Sequence, residues 1–244
     1  MARLLDGSSD LRTSAVTPVT AAPFTLGIWF QADDVDSQYR LFAIIGPADI
    51  WSMRLRGDVG GDPVQFQVRE GGSGVNASSS TGFSANTWHH ACAVERSTTD
   101  RSAYIDGGSR GNVGGTEAPA SADEVQIGTI DGATRLQGKV AEAAIWNTDL
   151  DDPEVALLGL GLCPLFIRPA NLVFYAPLIG RYNPEIDIMG SRNLTLIGTV
   201  VENHPRMIYP KAGLYPGIGG VAGPPEFPPA LFAHARRQSP LLRM

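Results

Sequence analysis

The stretch Phe24-Thr-Leu-Gly-Ile-Trp-Phe-Gln31 carries large apolar side chains at every second position, namely Phe24, Leu26, Ile28 and Phe30. Successive side chains of a β-strand point to opposite faces, so this spacing predicts a strand with one buried face. Val64-Gln-Phe-Gln-Val68 repeats the alternation strictly. Shorter patterns separated by Gly, Pro and Asp predict further strands over Tyr39–Ile45, Trp51–Arg56, Trp88–Glu95, Ala103–Asp106, Glu124–Ile130, Leu136–Trp146, Asn171–Pro177 and Asn193–Val201. Strands at such regular spacing predict an all-β fold, an antiparallel two-sheet jelly-roll sandwich.

One short helix interrupts the strand pattern. Asp152 is a suitable N-cap, Pro153 fits the first helical position, and Gly159 or Gly161 can end the helix. Beyond Asn203 the alternation stops, and 8 of the 18 prolines lie in residues 203–244. We therefore expect a sandwich over residues 1–202 and an extended, basic, Pro/Gly-rich tail over residues 203–244.

Charge is divided unevenly along the chain. The 244 residues carry a net charge of −6, whereas residues 203–244 hold five basic side chains and one acidic side chain. The remaining body is strongly acidic and would repel a phosphate backbone, so we expect no nucleic-acid partner. No apolar run is long enough to span a membrane, and the start lacks a secretory signal pattern, so we expect no membrane partner and no signal peptide.

Four segments resemble, in the correct order, the strands of laminin-G-like, concanavalin A-like jelly-roll domains. They are Leu4-Leu-Asp-Gly-Ser8, Phe24–Gln31, the pair Asn86-Thr-Trp-His-His-Ala-Cys-Ala-Val94 and Ala103-Tyr-Ile-Asp-Gly107, and Leu136–Leu150 with Pro153-Glu154. The resemblance covers roughly residues 3–201 and implies the sandwich fold. It does not fix the function, because this sandwich serves lectins, glycosidases and structural modules alike.

Tailed bacteriophages carry laminin-G-like proteins that this chain resembles, and Asn203-His-Pro-Arg-Met-Ile-Tyr-Pro210 is similar to a segment of such proteins. The resemblance implies a non-enzymatic structural protein of a phage virion, either a capsid decoration protein or a tail- or fibre-associated subunit, made in the host cytoplasm. We expect a homo-oligomer that binds capsid or tail proteins of the same virion through its tail, because proline reduces the entropy lost when a tail is ordered. The tail residues expected to make these contacts are Arg206, Lys211, Phe227, Leu231, Phe232, Arg236, Arg237 and Arg243.

The alternative is a carbohydrate-binding module or host-glycan adhesin with a polysaccharide partner. Sugar sites on such sandwiches use an exposed aromatic ring for stacking, and Trp51 and Tyr39 are the candidates. Members of this fold that bind carbohydrate often hold Ca²⁺ through Asp and Asn oxygens, which suit a hard cation. Solvated turn carboxylates explain the acidic loops here better, so no cofactor is predicted and Ca²⁺ stays the open alternative. The loops in question are Asp33, Asp34 and Asp36, and Asp149, Asp151 and Asp152.

Patterns typical of catalysis are incomplete. Glu185-Ile-Asp187-Ile-Met189-Gly190 is similar to the E-I-D-I-M-E strand of some glycosidases on this sandwich, but Gly190 stands where the proton-donating Glu would be. His89 and His90 are neighbours in a predicted strand, so they face opposite sides, and we expect one to be packed and the other exposed. No Ser–His–Asp order is recognisable. We therefore predict no catalytic residues, no metal ligands and no enzymatic activity.

Overall fold

Two antiparallel sheets pack against each other in the computed structural model, which describes residues 1–12, 17–130, 132, 134–190 and 192–209. The strands within those residues are β1 (Ala2–Asp6), β2 (Asp10–Arg12), β3 (Phe24–Ala32), β4 (Gln38–Ile45), β5 (Ile50–Arg56), β6 (Pro63–Glu70), β7 (Ser73–Gly82), β8 (His89–Ser97), β9 (Asp100–Ile105), β10 (Gly108–Val113), β11 (Glu124–Ile127), β12 (Gln137–Trp146), β13 (Leu172–Ala176), β14 (Thr195–Ile197) and β15 (Val200–Glu202). The helices are α1 (Asp152–Gly159) and a 3₁₀ turn over Pro164–Phe166.

The eight-stranded sheet has the order β10-β9-β8-β3-β12-β1-β15, with β13 also paired to β12. The seven-stranded sheet has the order β14-β2-β11-β4-β5-β6-β7. All strand pairs within the sheets are antiparallel. The predicted all-β sandwich with one short α-helix is thereby confirmed.

The core lies between the sheets and is filled by the side chains that the alternation predicts to be inside. Phe24, which begins β3, is fully buried and contacts Trp51 of the opposite sheet edge to face, with ring centroids 5.3 Å apart. Phe24 also contacts Phe66 of β6 in a T-shaped arrangement. Aromatic side chains bury large apolar areas and favour this geometry. The period-2 pattern therefore identifies the core correctly.

Strands β7 and β10 were not predicted, because neither shows apolar alternation. The Gly- and Ser-rich β7 is mostly exposed and pairs along one side with β6, while β10 is the edge strand of the other sheet. Backbone hydrogen bonds, which do not depend on side-chain type, hold such edge strands. The predicted strand Asn193–Val201 is in fact two strands in different sheets, since β14 pairs with β2 and β15 with β1. Gly198 makes this break with a φ of +76° that favours glycine.

The helix begins one residue earlier than its predicted cap implies. Asp151, not Asp152, is the N-cap, and its carboxylate accepts the backbone N–H of Glu154 at 2.9 Å. The Glu154 side chain in turn accepts the backbone N–H of Asp151 at 2.9 Å, which completes a capping box. This arrangement leaves Asp152 free to accept a hydrogen bond from the Tyr104 hydroxyl at 2.7 Å.

Residues 203–209, which the sequence assigns to the tail, lie against the sandwich and belong to the compact unit Met1–Pro210. Ile208 donates its backbone N–H to Gly161 at 2.7 Å and accepts the N–H of Cys163 at 3.1 Å. The Tyr209 hydroxyl donates to Glu142 at 2.8 Å. Arg206 is exposed on this segment. The other tail residues expected to make contacts, Lys211, Phe227, Leu231, Phe232, Arg236, Arg237 and Arg243, lie outside the described residues.

None of the helices in the described part of the chain is both long and apolar enough to cross a membrane.

Candidate functional site

The two aromatic residues predicted to stack on sugars are both buried. Trp51 is 2% exposed and packs in the core beside Phe24, and Tyr39 is 4% exposed with its hydroxyl bonded to Asp34. Stacking requires a ring face open to solvent, so neither residue can serve this purpose. Both side chains point from their strands into the core. The alternation in the sequence does not show which face is inside until the register of the strands is known. The prediction for Trp51 and Tyr39 is therefore wrong.

Strand β5 carries alternating apolar and polar side chains across the middle of the seven-stranded sheet. Met53 and Leu55 are fully buried in the core. Because successive side chains of a strand point to opposite faces, Arg54 and Arg56 point to the outer face of the sheet. This part of the outer surface is thus built from polar side chains held on paired strands, whereas Ala43, Ile45 and Ile50 elsewhere in the sheet form a separate buried apolar cluster with Ile130.

Cross-strand registers arrange these side chains in rows. Arg40 lies opposite Arg54, which lies opposite Gln65, and in the next row Gln67 lies opposite Asn76. Opposite residues in antiparallel strands have Cα atoms about 4.5–5.5 Å apart, so their side chains are in reach of one another. We call this surface the polar face. Its residues are Arg40, Arg54, Arg56, Gln65, Gln67, Arg69 and Asn76.

Neutral amide oxygens hold the arginines of the polar face in place. Arg54 donates through Nη2 to the Asn76 side-chain oxygen at 2.6 Å and also bonds the Gln65 side-chain oxygen. Arg40 donates through Nη1 to the Gln67 side-chain oxygen at 2.8 Å. These contacts fix the planes of the guanidinium groups. They leave the Nε atoms of Arg40 and Arg54, and that of Arg69 next to them, buried without a hydrogen-bond partner among the described residues.

The electrostatic environment of these arginines is unfavourable. Burial, followed by the charges of Arg40 and Arg56, lowers the pKa of Arg54 to about 9. Burial and the charges of Arg69 and Arg56 lower the pKa of Arg40 to about 10. Both groups stay protonated at neutral pH, so the polar face is a concentration of positive charge on an acidic protein.

The glycosidase-like stretch has a structural role. Glu185 is 1% exposed and pairs with Arg3, whose Nε donates to the carboxylate at 2.7 Å. Asp187 is 2% exposed and accepts the backbone N–H groups of Tyr175 and Met189, each at 3.0 Å. Burial raises the pKa of Asp187. Both carboxylates thus have partners within the fold, although the Oδ2 atom of Asp187 is buried without a hydrogen-bond partner among the described residues.

A Ser–His–Asp chain is present in space, although the sequence did not indicate it. His89 lies with Nε2 3.0 Å from the Ser84 hydroxyl and Nδ1 2.7 Å from Asp106. The same Nε2 atom accepts the backbone N–H of Ser84 at 3.0 Å. A general base needs this single lone pair for the hydroxyl proton, and here a backbone donor shares it. We assign the chain a structural role, which is to fasten the turn before β8 to the end of β9.

His90 points to the other side of β8, as the alternation predicts, but it is not exposed. His89 is 9% exposed and His90 is 3% exposed, so the expectation of one packed and one exposed histidine is wrong. The His90 ring lies 5.5 Å from the Trp29 ring, and burial lowers the pKa of His90 to about 4. The face of the eight-stranded sheet that carries His90 is therefore covered by other parts of the chain. The residue pattern of a single strand cannot show this.

The acidic loops considered for Ca²⁺ are largely exposed to solvent, as Asp33, Asp36, Asp151 and Asp152 show, and some of their carboxylates also accept protein hydrogen bonds. Asp34 accepts the backbone N–H of Asp36 at 3.0 Å and the hydroxyl of Tyr39, while Asp151 caps α1. Within the described residues, no three or more His, Cys, Asp or Glu side chains are grouped so that they could hold a metal ion.

A second polar concavity lies beside the start of α1, on the eight-stranded sheet. It is lined by Arg96, Arg110, Arg168 and residues 149–153. Its positive charges are compensated, since Arg110 and Arg96 lie 3.5 and 3.9 Å from Asp152. We call it the α1 cleft. It differs from the polar face in that each of its three arginines has a carboxylate partner, whereas on the polar face Arg56 has one and Arg40, Arg54 and Arg69 have none among the described residues.

The described architecture, two antiparallel sheets with a polar outer surface, is that of a lectin-like jelly roll. The family model described as the concanavalin A-like lectin/glucanases superfamily matches residues 5–156, and the chain belongs to this superfamily. None of the curated proteins matches the chain in sequence.

Solved structures share the fold at low sequence identity. A putative carbohydrate binding protein from Bacteroides ovatus has a TM-score of 0.64 at 18% identity, over 85% of this chain and 61% of that chain. Domain 4 of AbnA, a GH43 extracellular arabinanase from Geobacillus stearothermophilus solved with arabinotriose, has a TM-score of 0.54 at 16% identity, over 65% of this chain and 76% of that chain. A heptameric SAP-like pentraxin from Limulus polyphemus has a TM-score of 0.50 at 15% identity, over 65% and 81%.

Proposed function

We propose that this protein is a non-enzymatic carbohydrate-binding module and that the polar face is its binding surface. The observation that carries the proposal is the pair of cross-strand rows in which amide and guanidinium groups lie side by side on rigid strands. Such planar groups match the donors and acceptors of sugar hydroxyls. Two of the structural neighbours, a putative carbohydrate binding protein and a domain solved with arabinotriose, support the same class of ligand.

The geometry of the polar face suits an extended ligand. Neighbouring strands lie about 4.8 Å apart, so the four strands β4 to β7 span about 14 Å. Side chains on paired strands are held before the ligand arrives, which reduces the entropy lost on binding. The exposed Asn76 and the partly exposed Gln67 are the residues that a sugar chain reaches first.

A glycan array followed by calorimetry on the intact protein tests this proposal. We expect Gln67→Ala combined with Asn76→Ala to weaken binding about tenfold, because each substitution removes hydrogen-bonding groups from the surface. Arg110→Ala in the α1 cleft is the matched control and should bind like the wild type. Equal losses in both variants, or an array with no bound glycan, would contradict the proposal.

The virion role is a second proposal, supported by the resemblance of Asn203–Pro210 and by the basic, proline-rich sequence that follows. In this proposal the body is held on the particle through residues 211–244. Deleting those residues should prevent incorporation into particles while leaving glycan binding intact. The expected homo-oligomer is likewise a proposal, and light scattering on the intact protein tests it.

A further inference from the structure

Four arginines lie on three adjacent strands of the polar face. Arg40 is on β4, Arg54 and Arg56 are on β5, and Arg69 is on β6. The whole chain contains 25 acidic side chains and 19 basic ones, so this local excess of positive charge is opposite in sign to the net charge of the protein. Of the four, Arg56 has a described carboxylate partner, Asp58, at 2.6 Å. Within the described residues, the others have no carboxylate within the 4.0 Å ion-pair distance.

The arrangement is costly for the folded protein. Like charges directly opposite each other on neighbouring strands are destabilising, and Arg40 and Arg54 occupy such a pair. The positions beside them carry the neutral residues Gln65, Gln67 and Asn76, although a Glu or Asp at any of these sites would have compensated the charge. A buried donor without a partner adds a further cost. An anionic ligand would offset the like-charge repulsion and supply the negative charge that the neighbouring residues lack.

We propose that the ligand of the polar face is an anionic polysaccharide, whose carboxylate or sulfate groups the arginines bind. This inference rests on the proposed carbohydrate-binding function and specifies its ligand class. A guanidinium group presents Nε and Nη donors along one edge, which fits the two oxygens of a carboxylate or sulfate. The Nε atoms of Arg40, Arg54 and Arg69 are themselves buried, so the ligand is met by the terminal Nη groups of the partly exposed Arg40, Arg56 and Arg69.

The spacing of the arginines suits charges that repeat along a polymer. Arg40 and Arg54 are separated by about 5 Å between opposite Cα atoms, and Arg54 and Arg56 by about 7 Å along the strand. Arg40, Arg56 and Arg69 are partly exposed, whereas Arg54 is buried behind them. The partly exposed arginines meet the ligand directly, and Arg54 adds its charge from beneath.

The test measures binding of the intact protein to four polymers by calorimetry: polygalacturonate, dextran sulfate, unmodified dextran and polyglutamate. We expect polygalacturonate or dextran sulfate to bind about tenfold or more tightly than dextran, and the preferred one identifies the anion. Raising the salt concentration should weaken this binding, because exposed charges are screened.

The double variant R40Q/R54Q should lose about tenfold or more in affinity. Its thermal unfolding should match or exceed that of the wild type, since the like-charge pair is gone.

The double variant R110Q/R168Q in the α1 cleft removes the same number of positive charges, and it should retain wild-type affinity. Equal losses in R110Q/R168Q and R40Q/R54Q would overturn the inference, as would binding of polyglutamate as tight as that of the polysaccharides. Preference for neutral glycans would also overturn it while leaving the carbohydrate-binding function intact. If no polysaccharide or array glycan binds, the proposed function itself fails.

Discussion

The buried charged side chains of this protein include some that are paired with an opposite charge and others that are bound only by neutral groups. The Arg3–Glu185 pair is complete, because both side chains are nearly inaccessible and their atoms meet at 2.7 Å. Arg54 is equally buried but rests on amide oxygens. A paired charge holds the fold, whereas a charge without its counterion remains available to a ligand.

Breaking the Arg3–Glu185 pair should be strongly destabilising. Glu185→Ala leaves the guanidinium of Arg3 buried without its carboxylate, and such losses cost about 3–5 kcal/mol. Urea denaturation of the variant measures the change in the free energy of unfolding. Asp58→Ala, which breaks the partly exposed Arg56–Asp58 pair, is the control and should cost about 1 kcal/mol or less. A Glu185→Ala variant as stable as this control would show that Arg3 finds another partner.

The same contrast applies to histidine. His89 has polar partners on both ring nitrogens, whereas His90 packs against Trp29 with its Nδ1 unpartnered among the described residues. The alternation of β8 correctly predicts that they point apart. Whether each side is open to solvent depends on what covers the sheet, and the strand itself carries no information about that.

Among the secondary-structure elements, those with an apolar face are predictable and those without one are not. Strands β3, β5 and β6 repeat their inward side chains at every second position, and this pattern placed them to within a residue or two of each end. Strand β7 is rich in Ser and Gly and gains its place by pairing with β6. Its position therefore follows from the neighbouring strand and not from its own sequence.

Helix α1 depends on its capping box for a defined start. Asp151→Ala removes the carboxylate that accepts the Glu154 N–H, and loss of such a cap costs about 1 kcal/mol. Chemical denaturation of the full chain measures the effect. Asp149→Ala, two residues earlier and outside the helix, is the matched control and should change stability by no more than about 0.5 kcal/mol. Equal effects from the two substitutions would mean that the cap contributes nothing.

The segment that follows the last strand joins distant parts of the fold through one buried carboxylate. Glu142, whose side chain is fully buried, accepts hydrogen bonds from Tyr175 and from Tyr209. His204 approaches the same carboxylate at 2.9 Å, without hydrogen-bonding alignment. We call residues 203–209 the clasp. It packs against a second buried cluster on the side of the eight-stranded sheet that faces away from the core, although its own sequence shows no periodicity.

Two truncations measure what the clasp contributes. Ending the chain after Glu202 removes the Tyr209 hydroxyl from a buried carboxylate, which should cost about 1–3 kcal/mol of unfolding free energy. Ending it after Tyr209 keeps the clasp and should leave stability close to that of the full chain. Thermal and urea unfolding of both forms provide the comparison. Equal stability of the two truncated proteins would refute a structural role for the clasp.

Local chemistry was enough to predict the sandwich, the core phenylalanines of β3 and β6 and the single helix, because apolar alternation and capping residues act within a few positions along the chain. The polar face could not be predicted in this way. Its rows join β4, β5, β6 and β7, and the register that sets Arg40 against Arg54 exists only after the strands pair. The same pairing places Trp51 in the core, so it cannot serve as the predicted sugar platform, and the proposed binding surface lies on the opposite face of the same strand.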